Sequence, residues 1–473
     1  MRIFEARARG RFAVFAALTV VMAGTPAYAE TLLSALARAY GGNPDLNQSR
    51  AAVRVRDEDA PKALAGMRPK ASISANVGPQ YSNIKIPAGR TTNGDRGFMY
   101  DDYVGYPRGA TLSLSQTLFD GGRTENSLRQ AESGVFSARE TMRLTEQAIL
   151  QNGATAYMNV LRDTAVQALR KNNISVLEEQ LKQVRDRFQV GEVTRTDVAQ
   201  SEASLAQAKS EFYAAQAILK NSVANYRQII GVDPKRLEPA RTVEHLLPKS
   251  LGAAVAMALR EHPGVVSALH QVDASEHAVK VAESALSPTV SVSAQVQQQY
   301  DSFLGSPQTR QFSAGASGNL NIPLYQGGSE YASIRQAKEQ LGQARLNADL
   351  QRDSVRASVV SSFGALETAR ASIVSGQAAV KAAETALAGV REEAKVGQRT
   401  TLDVLNAQQT LLNARVNLVL AQRDRVVASY AALGAVGHLG ADELGLAVAV
   451  YDPAVHFRQV RDKWIGVDTP DGR

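Results

Sequence analysis

The stretch LFDGGRTENSLRQAE, Leu118 to Glu132, returns further along the chain as LYQGGSEYASIRQAKE, Leu324 to Glu339. Arg129-Gln-Ala aligns with Arg335-Gln-Ala at an offset of 206 (335 − 129), and VGEVTRTDV from Val190 meets VGQRTTLDV from Val396 at the same offset. Upstream, NPDL at Asn43 answers HPGV at His262, and SISANVGPQY from Ser72 answers SVSAQVQQQY from Ser291, both at 219. The first copy therefore carries 219 − 206 = 13 extra residues between Tyr81 and Leu118. That insert is rich in Gly, Asp and Tyr and reads as a loop. A repeat of this length is a duplicated half rather than a solenoid unit.

The halves are read as 30–235 and 250–441, followed by a tail at 442–473. No proline lies between Pro107 and Pro234 or between Pro323 and Pro453, and both stretches are rich in Ala, Gln, Leu and Arg. Such composition favours helix. From Arg123 to Val190 a helix would span about 100 Å, more than the width of an ordinary domain. In the helix after each VG motif, apolar residues recur every seven: Val198, Leu205, Phe212, Leu219, Tyr226, and Leu405, Leu412, Val419, Val426, Leu433. That period marks a coiled-coil seam.

Two stretches of period two stand before each long helical region, at about 71–81 and 108–118, and at about 289–300 and 311–324. Ile73, Ala75 and Val77 alternate with Ser72, Ser74 and Asn76, Leu112 and Leu114 with Thr111, Ser113 and Ser115. Val290, Val292 and Val296 alternate with Ser291, Ser293 and Gln295, and Phe312, Leu320 and Ile322 face Ser313, Asn319 and Asn321. A soluble two-layer fold would alternate in the same way. The polar face here lacks the Lys and Glu that protect exposed sheets. In a membrane barrel the apolar face meets lipid and the polar face a lumen. Four strands cannot close by themselves, and open edges do not persist in lipid. Eight strands, from two copies, would be filled by their own side chains, whereas twelve, from three copies, leave a pore. Gly121-Gly122 and Gly327-Gly328 stand where a strand leaves the sheet and a helix begins, because glycine turns the backbone without a Cβ clash.

The chain has 473 residues, no cysteine and a formal charge of +7. Disulfides and thiolate metal sites are excluded. Residues 1–29 combine Arg2, Arg7, Arg9 and Arg11, an apolar run and a terminal AYA. They read as a secretory signal peptide, being too short in apolar length for a span. Without them the charge falls to about 7 − 3 = +4, too mild to indicate a nucleic-acid partner. No later stretch reads as a transmembrane helix. There is no Walker loop, H-E-x-x-H or nucleophile elbow, and His270 and His277 read as lone packing or surface groups. No catalytic residue, cofactor or metal is expected.

VG-x-x-T-x-x-D-V has a sufficient explanation in helix geometry. Gly191 and Gly397 suit a left-handed helix end. Thr194 and Thr400, three residues before Asp197 and Asp403, form capping boxes with them. The motif is thus the tip of an αα-hairpin, placed at 190–198 and 396–404.

With its duplication, its LFDGG and LYQGG exits and its paired tip motifs in fixed order, the chain resembles the TolC family of outer-membrane efflux and type I secretion channels over about 31–441. The resemblance implies a mainly α protein with long antiparallel coiled-coil hairpins and four strands per chain. These strands complete a transmembrane β-barrel in a homotrimer, in the outer membrane, with a long periplasmic helical portion. It implies a periplasmic adaptor and an inner-membrane pump or ABC transporter as partners, and export of drugs, small molecules or secreted proteins. The family's periplasmic gate arginine falls on Arg399 and its first ring aspartate on Asp403, with Asp197 at the matching place in the first tip. The family's second aspartate falls on Asn406, which weakens the acidic ring. Val190, Gly191, Thr194, Val396, Gly397 and Thr400 fall where an adaptor would dock. A pore-less structural coiled-coil protein of the periplasm or cell surface is the alternative from a different class.

Overall fold

The computed structural model describes residues 30–90, 92, 94, 96–301 and 309–470. The expected signal peptide lies outside the described residues. Each half opens with short capped helices. In the first, Thr31 Oγ1 accepts from Ser34 N at 3.2 Å to start α1 (Leu32–Gly42). Asn43 Oδ1 accepts from Asp45 N at 2.9 Å to start α2 (Pro44–Asp57), with Pro44 at the first helical position, where its missing N–H costs nothing. α3 (Asp59–Leu64) then leads into β1 (Lys70–Val77), β2 (Gln80–Arg90), β3 (Arg96–Gly105) and β4 (Arg108–Phe119). The hairpin of α4 (Arg123–Gln189) and α5 (Arg195–Ile230) closes the half. The second half runs α6 (Leu251–Glu261), α7 (Pro263–Glu283), β5 (Thr289–Tyr300), β6 (Arg310–Asn321), α8 (Ser329–Lys395) and α9 (Thr401–Val436), and the tail holds α10 (Pro453–Val460).

The long helices keep the offset of the sequence repeat: α4 and α8 have 67 residues each, α5 and α9 have 36 each. Their heptad residues are buried or half-buried throughout, so the seven-residue seams are the packed ones. Around mid-length, α1, α4, α5 and α9 share a core that fully buries Leu36, Leu150, Tyr157, Tyr226 and Leu433. Tyr157 Oη donates to Glu30 O and Glu238 O at 2.6 and 2.7 Å, pinning the segment before α1 and the inter-half linker to one helix. Burial pushes the Tyr157 hydroxyl well above its ordinary value.

Four strands form one antiparallel sheet in the order β1-β4-β5-β6, so the halves join at β4–β5. The register aligns Ile73, Leu112, Val296 and Ala314 in one row and Ser74, Thr111, Gln297 and Ser313 in the next. A bulge between Thr117 and Phe119 inserts one residue in β4. Because side chains alternate with period two, that extra residue brings Phe119 back to the apolar face opposite Val290. Among the described residues no layer covers that face: Ile73 is 78% exposed, Leu112 47%, Val292 41% and Phe312 65%. The outer strands β1 and β6 each leave one edge unpaired.

The insert expected to be a loop is instead a β-hairpin. β2 and β3 pair from Gln80↔Gly105 to Arg90↔Arg96 and prolong the β1–β4 ribbon, with Gly78 N donating to Pro107 O at 3.3 Å across the joint. The expected first strand, 71–81, accordingly divides at Gly78-Pro79, where proline cannot donate to the ladder. Gly and Asp signal the turn strongly, whereas the β-branched and aromatic residue types on either side of it favour strand and let β2 and β3 continue the ribbon that β1 and β4 begin.

Both glycine exits turn as expected, with φ of +68° and +81° at Gly121 and Gly122 and of +72° and +82° at Gly327 and Gly328. Their caps differ. Asp120 Oδ2 accepts from Thr124 N at 2.9 Å in the first exit, whereas Glu330 Oε1 accepts from Gln326 N at 3.2 Å in the second. The tail packs on the first half: His456 Nδ1 meets buried Asp57 Oδ2 at 2.8 Å, Arg461 reaches Glu132 at 3.0 Å, and Arg139 stands over the Phe457 ring.

Candidate functional site

Both tips are built from the same backbone logic. α4 stops because Gly191 adopts φ +81°; Gly191 N donates to Phe188 O at 3.0 Å and Glu192 N to Arg187 O at 2.9 Å. α8 stops the same way at Gly397, φ +78°, with Gly397 N donating to Ala394 O at 3.3 Å and Gln398 N to Glu393 O at 2.9 Å. These bonds take up helix-end carbonyls that would otherwise lack donors. The next helix starts on a capping box. Thr194 N donates to Asp197 Oδ2 at 2.9 Å and Asp197 N to Thr194 Oγ1 at 3.3 Å. Thr400 and Asp403 repeat the pair at 2.9 and 3.2 Å.

The aspartates are thus occupied. Hydrogen bonds from the Thr194 hydroxyl and backbone hold the Asp197 carboxyl below its ordinary value, with Thr401 of the other hairpin adding to them. The Thr400 backbone and hydroxyl do the same for Asp403, with a smaller contribution from Arg399. Both groups are anions at neutral pH, each tied to its own turn. Arg399 Nε donates to Glu393 Oε2 at 2.8 Å rather than bonding Asp403. Asn406 lies one turn beyond Asp403, exposed, with its carbonyl accepting from Thr410 Oγ1 at 2.8 Å. Val190 and Val396 project apolar side chains from the turns, exposed to the same extent.

Sequence reading missed Glu393 and the Arg187–Glu192 pair, 3.0 Å apart in the first tip. Laying the two repeats together would have found them. Position 187 is Arg where position 393 is Glu, and the turn then carries Glu192 in one copy and Arg399 in the other. The helix supplies the cation in the first tip and the anion in the second.

The hairpins lie against each other along α4 and α9. Leu177, Ala208 and Leu405 form the apolar contact above the tips. Gln408 is buried beside it, donating to Asn173 Oδ1 at 3.3 Å and accepting from Arg391 at 3.4 Å. Below, an open groove of about 770 Å³ separates the tips, lined by Gln180, Glu192, Asp197, Arg391 and Thr401 among others. Charged and amide groups of both hairpins line it together with apolar side chains such as Val184 and Val404. Among the described residues no cluster of His, Asp and Glu could hold a metal ion, and no helix is long and apolar enough to cross a membrane.

A family model described as outer membrane efflux protein matches residues 35–232 and 254–438. The chain is 44% identical over 455 residues to the outer membrane efflux protein BepC of Brucella suis, covering 96% of this chain and 95% of that protein. It is 27% identical over 438 residues to the outer membrane protein TolC of Escherichia coli, covering 88% and 84%. Among solved structures, the CmeC outer membrane channel of Campylobacter jejuni shares the fold, with a TM-score of 0.73 at 17% identity over 91% of this chain and 89% of that one.

Proposed function

The chain belongs to the outer membrane efflux protein family, and from that premise we propose that three copies close a twelve-stranded barrel above a continuous helical conduit. The protein is an export channel of the TolC type in the outer membrane, a non-catalytic duct rather than a pore-less coiled coil. The observation that carries the trimer is the sheet: four strands, one apolar face open to solvent, and two unpaired edges. Lipid does not accept an open edge, so β6 of one copy pairs with β1 of the next. Serine, threonine, asparagine and glutamine then line the lumen. In the trimer the tips meet at the periplasmic mouth, where Asp197 and Asp403 become acidic rings whose like charges reinforce one another. Arg399 braces the closed mouth through Glu393. An adaptor docks on the valine–glycine turns, and an inner-membrane pump or ABC transporter supplies the energy that this chain has no chemistry to provide.

Membrane fractionation followed by gel electrophoresis with and without boiling tests the assembly. The expected result is an outer-membrane band that migrates as a trimer until heated. A soluble periplasmic monomer would overturn the reading.

A further inference from the structure

After α10 the tail reaches the foot of the four-stranded sheet. Arg68 Nη1 donates to Lys463 O at 2.8 Å, and the Arg68 guanidinium stands 4.9 Å from the centre of the Trp464 ring. Arg68 lies two residues before Lys70, the first residue of β1. The adjoining Met67 O accepts from Gln116 Nε2 at 3.4 Å, and Gln116 shares the apolar face of the ladder with Val292. Trp464 therefore sits at the periplasmic end of the barrel, next to the face that meets lipid. It is the only tryptophan in the chain. Trp464 is 65% exposed, and Ile465 and Val467 beside it are 88% and 97% exposed. Leu118, Phe119, Leu320 and Ile322, at the same end of the sheet, are exposed too.

We propose that Trp464, Ile465 and Val467 form an interfacial anchor that lies in the headgroup layer of the outer membrane's inner leaflet. The inference rests on the barrel reading above. Tryptophan favours this layer because its ring is apolar and its N–H needs a polar partner. The surrounding charges set the depth. Arg68 and Lys463, the latter donating Nζ to Asp468 O at 2.6 Å, put positive charge beside the ring where headgroup phosphates would lie, whereas the Asp462 and Asp468 carboxylates on either side would resist deeper entry. The anchor is thus shallow. Its helical base is α10, held to α2 and α4 by the His456–Asp57 and Arg461–Glu132 pairs.

The lone tryptophan is its own probe. The full-length trimer is placed in vesicles of phosphatidylethanolamine and phosphatidylglycerol carrying brominated acyl chains, with excitation selective for tryptophan. Bromines near the ester carbonyls should lower the emission at least about twofold, and bromines near the chain ends less. Iodide in the aqueous phase should quench weakly. Strong iodide quenching without bromolipid quenching would overturn the proposal by placing the tail in water. Quenching by neither would overturn it by placing the ring under a neighbouring subunit. The Ile465→Asp, Val467→Asp variant should keep the heat-sensitive trimer band while losing bromolipid quenching, and undiminished quenching would overturn the anchor role of those two residues. Conductance of the same vesicles reports the channel itself, so a failed barrel and a failed anchor are told apart.

Discussion

Gly121 and Gly327 occupy the same place in the two halves and adopt nearly the same φ, +68° and +72°. Their surroundings differ. A Cβ on Gly121 would fall 2.2 Å from Ser287 Cβ, on the segment entering β5, whereas a Cβ on Gly327 would meet nothing within 4 Å. The first exit is packed because its neighbouring strand belongs to the same chain. The second opens at β6, the sheet's free edge. Duplication thus gave both exits one geometry, and the emptiness beside Gly327 marks a surface that the single chain leaves uncovered. The tips teach the converse. There the same backbone bonds recur, Gly191 N to Phe188 O at 3.0 Å and Gly397 N to Ala394 O at 3.3 Å, while the ion pair is reversed in polarity. Turn geometry is held by torsional cost, whereas an exposed ion pair is worth little to folding and is free to diverge.

The sharpest break of this comparison is at the exits. Gly121→Ala should cost roughly 1–2 kcal/mol for a left-handed residue with a side chain and about 1–3 kcal/mol more for overpacking against Ser287, lowering the melting temperature and the folded yield. Gly327→Ala should cost the torsional part alone in the monomer, with the remainder appearing as a weaker heat-sensitive trimer band. If Gly327→Ala assembles as well as the parent, the two exits are not equivalent in the trimer.

A smaller effect tests the tips. Thr194→Ala and Thr400→Ala should each destabilise the following helix start by about 1 kcal/mol, read as faster amide exchange in the first turns of α5 and α9. The carboxyls of these caps are lowered in the folded state. Their stabilisation is therefore complete above the ordinary aspartate value of about 3.9. It is lost as pH falls through the lower folded value. Exchange protection in both turns should fall together in that acid range, and a fall beginning near neutral pH would refute the assignment.

The smallest change in stability is expected for the ion pairs. Arg187→Ser and Arg399→Ser should leave the melting temperature unchanged. Only Arg399→Ser should raise single-channel conductance in a planar bilayer, because in the proposed assembly it alone releases the brace at the mouth. Equal conductance in both variants would remove the functional distinction between the tips.

Most of the site's skeleton was legible in the sequence. The glycine stops and Thr-x-x-Asp boxes are local chemistry, decided within a few residues, and they folded as read. Glu393 was not legible from one copy, because an exposed glutamate one turn before a helix end looks like any solvated charge until the turn brings Arg399 back to it. The β2–β3 hairpin was misread because Gly and Asp in the insert signal turns strongly, while its strand character depends on continuing a ladder set by β1 and β4.

By itself the sequence determined the duplication, the helix lengths, the capped tips and the two-faced strands, since periodicity and caps act between near neighbours along the chain. Only the tertiary structure decided which exit is packed and which is open, where the tail lies, and which partner Arg399 takes. Those depend on residues far apart in the chain arriving at the same place, and no local pattern records that meeting.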